Sequence, residues 1–78
     1  MVTREQCKAG RALVGWSQTD LADAADVGLS TVRDFETGKR TPINNNLSAI
    51  KSALEAAGVE FIAQNGGGPG VRLRQPLG

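Results

Sequence analysis

Seventy-eight residues hold at most one domain, and a chain this short buries only about 60% of the surface its unfolded form exposes, leaving a core worth ~3–5 kcal/mol unaided. One cysteine, Cys7, and no histidine leave an internal disulfide, the common zinc spacings and histidine-based nucleophilic catalysis without their residues, so a partner chain is the supplement that remains. Nine Lys/Arg against eight Asp/Glu give a net charge of +1, which neither announces nor forbids a nucleic-acid partner, and no apolar run approaches the ~20 residues that span a bilayer.

Thr3 is an acceptable N-cap, and residues 3–14 are mostly helix-favouring types up to Gly15, which predicts a first helix. Ser17 followed three residues later by Asp20 is a relative of the capping box and opens a second helix over about Gln18–Ala25. Asp26 suits a left-handed turn. A third helix then begins at Gly28 or Ser30 and runs to Glu36 or Thr37, before Gly38 stops it. Two helices of eight or nine residues joined by three or four residues have the arithmetic of a helix-turn-helix. On the third helix Gly28, Val32 and Phe35 share one face, Ser30, Arg33, Asp34 and Thr37 project from the other, and Leu29 lies on the edge.

After the basic turn Gly38-Lys39-Arg40-Thr41-Pro42, one of Asn44, Asn45 or Asn46 is expected to cap a fourth helix through about Ala57, with Leu47, Ile50, Ala53, Leu54 and Ala57 on its apolar stripe. Past Gly58, two β-like stretches flank a glycine loop, and strands are expected over 59–63 and 71–74. That loop lacks the Gly-Lys-Ser/Thr ending of a phosphate cradle. Trp16 reads as a core residue at the corner between the first two helices, and Cys7 as a small buried hydrophobe.

The residues Ser17-Gln18-Thr19-Asp20-Leu21-Ala22, then Val27, Ser30-Thr31-Val32, Phe35-Glu36 and Gly38-Lys39-Arg40-Thr41-Pro42 resemble the phage-repressor, Cro/XRE-like helix-turn-helix family of bacterial DNA-binding regulators. The likeness covers about residues 4–57. It departs from the family where Asp26 replaces a usual glycine and Gly28 a usual capping serine or threonine. The resemblance implies a mainly α fold: a four-helix repressor-like domain over 1–57 and a C-terminal two-strand β extension over 58–78 that serves dimerisation.

By that resemblance the third helix lies in the major groove of double-stranded DNA. Leu29, Ser30, Arg33 and Asp34 match base-facing positions, with Arg33 suited to guanine O6/N7, Asp34 to cytosine N4 and Leu29 to a thymine methyl. Gln18, Thr31, Thr37, Lys39, Arg40, Thr41 and Asn44 match backbone-contacting positions. Arg11 and Glu36 match an ion pair that ties the recognition helix to the first helix. A homodimer interface is expected from Leu54, Phe61, Ile62, Val71 and Leu73, with the strands pairing either within or between chains.

The expected function is therefore that of a cytoplasmic homodimeric transcription regulator, without enzymatic activity, cofactor or metal, acting on an inverted repeat and on its own promoter. The competing expectation is a protein-interaction module on the same fold, an antitoxin or antiactivator. Neither the operator nor any contact with polymerase is legible.

Overall fold

The computed structural model describes residues 1–75, in which four helices enclose a small core and a two-stranded hairpin closes one side. Helix α1 spans Arg4–Val14. Its N-terminus is closed reciprocally: the Gln6 N–H donates to Thr3 Oγ1 at 3.1 Å, and the Thr3 N–H donates to Gln6 Oε1 at 2.9 Å. Gly15, at φ +71°, ends it in the left-handed region that glycine tolerates. Helix α2, Gln18–Ala25, is capped in the same way by Ser17 and Asp20, with both bonds at 3.0 Å, and ends at left-handed Asp26.

Helix α3 runs Leu29–Glu36 from Gly28, which as N-cap has no side chain to offer. Helix α4 runs Asn44–Ala56, and its start corrects an expectation: Ile43, not an asparagine, is the N-cap. The Ile43 carbonyl already accepts from Asn46 and Leu47, both at 3.0 Å, so all three asparagines fall inside the first turn. That register is the one that turns Leu47, Ile50, Ala53 and Leu54 into the core.

The core gathers Val2, Cys7, Leu21, Val32, Phe35, Leu47, Ile50, Leu54 and Val59, with Trp16 packed at its margin. No helix among the described residues is long and apolar enough to cross a membrane.

Strands β1, Val59–Ile62, and β2, Gly70–Leu73, pair antiparallel within the chain, with Val59 opposite Leu73 and Phe61 opposite Val71. These four residues share the face turned to the helices, since directly opposed residues point the same way. Glu60 and Arg72, also opposite each other, form a 2.8 Å ion pair on the outer face.

Within the chain the residues expected at a dimer surface are differently placed. Leu54 is wholly buried inside its own chain and has nothing left to offer a partner, while Phe61 and Val71 pack against their own core and half-buried Leu73 faces the same way. Of that group only Ile62 stays on the outer face, 39% exposed. Buried Gln6 fixes the hairpin to α1, its Nε2 donating to the Gly70 carbonyl at 3.0 Å and the Ile62 carbonyl at 3.3 Å.

Candidate nucleic-acid interface

The turn between α2 and α3 is made by Asp26, at φ 55°, and by Val27, whose N–H returns to the Ala22 carbonyl at 3.0 Å while its side chain packs on the core. Val32 and Phe35 then anchor α3 from below. Leu29, Ser30 and Arg33 are exposed, and Thr31 and Asp34 are half-buried. Gly28, expected on the inner face, is exposed at the helix start. Arg33 Nε lies 3.7 Å from Asp34 Oδ1, beyond hydrogen-bond length, so in this solvent-exposed setting the guanidinium keeps its donors.

At the other end of α3 the Asp34 carbonyl accepts from the Lys39 N–H at 2.9 Å, the Arg40 N–H at 3.2 Å and the Thr37 hydroxyl at 3.3 Å. The main chain of the basic turn is thereby folded against the helix, which sends the Lys39 and Arg40 side chains outward. Gly38 sits at φ +79°, a left-handed conformation that glycine adopts without strain, and the Arg4 guanidinium lies over it.

Beneath this surface lies one polar cluster. Glu36, 4% exposed, receives Arg11 Nε and Nη2 at 2.7 Å each, Gln18 Nε2 at 3.0 Å and the Cys7 thiol at 3.1 Å. Arg11 also donates to the Trp16 carbonyl at 2.9 Å. Burial alone drives the Glu36 carboxyl upward in pKa, but the bonds from Arg11, Gln18 and Cys7 outweigh it and hold the group below its ordinary value. Burial, and then the neighbouring carboxylate, push the Cys7 thiol far up, so it stays protonated and inert. Four donors converge on one carboxylate, and three helices are locked by it.

The expected contact residues fall into separate groups. Ser30, Thr31, Asp34, Arg40 and Thr41 line one cleft between α3 and the start of α4, together with Pro42, Ile43 and Asn46. Gln18 and Thr37 lie instead in an open depression with Arg4, Glu5, Lys8, Arg11 and Glu36. Leu29, Arg33, Lys39 and Asn44 are exposed outside both. Gln18 has a second task, since its amide is committed to Glu36.

Sequence reasoning passed over Ile43, Asn46, Arg4 and Lys8. The one signal for Ile43 and Asn46 was the apolar stripe Leu47, Ile50 and Leu54, whose inward register places the start of α4, and no local pattern pointed to Arg4 or Lys8.

A short turn, a recognition-type helix with a polar outer face and a basic turn behind it define a DNA-binding helix-turn-helix domain. The sequence model described as helix-turn-helix matches residues 8–59, two thirds of the chain, and the protein belongs to that family, the Cro/C1-type, XRE-like group of DNA-binding transcription regulators. A search of curated proteins finds no match.

Proposed function

We propose that the protein is a sequence-specific transcription regulator that binds an inverted-repeat operator as a homodimer and controls its own promoter. The observation that carries this reading is the exposed face of α3, set between the Asp26 turn and the Lys39-Arg40 turn and locked from beneath by the Arg11–Glu36 cluster. In this reading Leu29, Ser30, Arg33 and Asp34 meet base edges, and Gln18, Thr31, Thr37, Lys39, Arg40, Thr41 and Asn44 meet the sugar-phosphate backbone.

Arg33 is the specificity anchor, because a guanidinium reads guanine O6 and N7 with two bonds. Two copies suit this reading: one such helix reads only a few base pairs, and half-sites recur about 34 Å apart along one face of the duplex. The protein measures 32 × 28 × 19 Å, so neighbouring copies fit that repeat side by side. Since Leu54 is wholly buried and Ile62 is 39% exposed, the contact in this reading lies on the outer side of the hairpin.

The test is selection from a random duplex pool, followed by binding of Arg33→Ala to the enriched sequence and to unrelated duplex. The variant is expected to lose ~1–3 kcal/mol at one symmetric position in each half-site and little on unrelated DNA. Equal loss on every sequence would make Arg33 a phosphate contact, and no enrichment by the wild type would favour an antitoxin or antiactivator role.

A further inference from the structure

Ile43 breaks two local rules at once. Serine, asparagine, aspartate and threonine cap helices well and isoleucine does so poorly, yet Ile43 is the N-cap of α4 with no side-chain hydrogen bond, while three asparagines stand immediately after it. It is also 69% exposed, far more than Leu13, Leu29 or Ile62. Ile43 belongs neither to the buried core nor to the partly buried side chains packed on it, and a neighbouring residue type would cap the helix better. Such departures mark positions held by function.

Its surroundings say which function. Ile43 closes the cleft whose other walls are Ser30, Thr31 and Asp34 of α3, Arg40, Thr41 and Pro42 of the basic turn, and Asn46 of α4. The cleft therefore offers hydroxyl donors, a cation and an apolar wall of Ile43 and Pro42 within a single concavity. In the major groove only thymine combines a hydrogen-bond acceptor, O4, with a methyl group at C5. Ser30 can donate to O4, Arg40 can hold the adjoining phosphate, and Ile43 is left facing the methyl. The Asp34 carboxylate in the same wall accepts only, so it suits the amino group of a neighbouring base.

We propose that Ile43, a residue outside the recognition helix, is a specificity determinant that packs on the C5-methyl of one thymine in each half-site. The proposal rests on the DNA-binding reading above and deepens it by naming a base.

The experiment replaces each thymine of the selected duplex in turn with deoxyuridine, which removes that methyl alone, and compares the wild type with Ile43→Ser. At one position per half-site the wild type is expected to lose about fourfold in affinity, the factor one buried methyl carries, while Ile43→Ser, already weaker by at least as much, loses nothing further. The serine should cap α4, so the variant is expected to melt at or above the wild-type temperature while binding less tightly. Ile43→Val, which keeps the apolar wall, should retain the deoxyuridine sensitivity and guards against a folding artefact.

Equal affinity of Ile43→Ser and wild type, or the same deoxyuridine profile in both, would overturn the role of Ile43 while leaving DNA binding intact. Failure of the wild type to select any duplex would instead remove the DNA-binding reading and this inference with it.

Discussion

Replacing Arg11 by alanine removes the two 2.7 Å bonds that neutralise Glu36 and the 2.9 Å bond to the Trp16 carbonyl. What remains is a carboxylate whose side chain is 2% exposed, served only by Gln18 and Cys7. Stranding a buried charge in this way costs ~3–5 kcal/mol. Set against the ~0.05–0.15 kcal/mol per residue typical of folded domains, that is a large share of what a chain of 78 residues possesses. In urea, with a slope of ~1 kcal/mol/M, the midpoint should fall by roughly 3–5 M, or the chain should not fold at all.

The pH dependence separates a stranded charge from simple loss of packing. In the wild type the folded pKa of Glu36 lies below its unfolded value, so its contribution is complete above about pH 4.3 and fades as the pH falls through the folded value. Without Arg11 the upward drive of burial prevails, the folded pKa rises, and the penalty grows as the pH increases through it. The deficit of Arg11→Ala is therefore expected to be largest at pH 7 and to narrow towards pH 4. An equal deficit at both pH values, or one below ~1 kcal/mol at pH 7, would refute the account of a buried and neutralised charge.

Lys39→Ala and Arg40→Ala should each weaken binding to all duplexes alike and flatten the slope of log K against log[salt] by about 0.9, as measured by anisotropy titration; an unchanged slope in both removes the phosphate role. Gln6→Ala loses the reciprocal cap of α1 and both hairpin carbonyl bonds, and should cost ~1–3 kcal/mol, with amides of β1 and β2 exchanging faster than those of α2 and α3; uniform acceleration would show that the hairpin is not separately tethered.

The parts of this fold that the sequence discloses are those written within a few residues. Ser17 with Asp20, Gly15, Asp26 and Gly38 each set a helix boundary through their own backbone or side chain, so α1, α2 and α3 stand where the pattern puts them. Ile43 shows the limit. Cap propensity favours an asparagine, but the inward demand of Leu47, Ile50 and Leu54 sets the register of α4, and packing overrides a preference worth ~1 kcal/mol. Gln6 marks the same limit: the Thr3-to-Gln6 spacing is a local signal, whereas its bonds to Ile62 and Gly70 join residues 56 and 64 positions away. The strands, expected at 59–63 and 71–74, pair over 59–62 and 70–73 because the register that seats Val59 and Phe61 on the helices fixes their ends.

The hairpin also answers the shortage with which so short a chain begins. A core this small needs reinforcement, and the composition points to a second chain. Much of that reinforcement comes from the same chain. Val59 is fully buried, Phe61 and Val71 roof the helices, and Gly10 on α1 lets Leu54 approach so closely that a Cβ there would stand 3.3 Å from Leu54 Cδ1 and 3.6 Å from Val59 Cγ1. The hairpin therefore belongs to the same core that carries α3. In the proposed homodimer the contact can be weak in solution and completed on DNA, because α3 is positioned within the chain by Glu36, Val32 and Phe35.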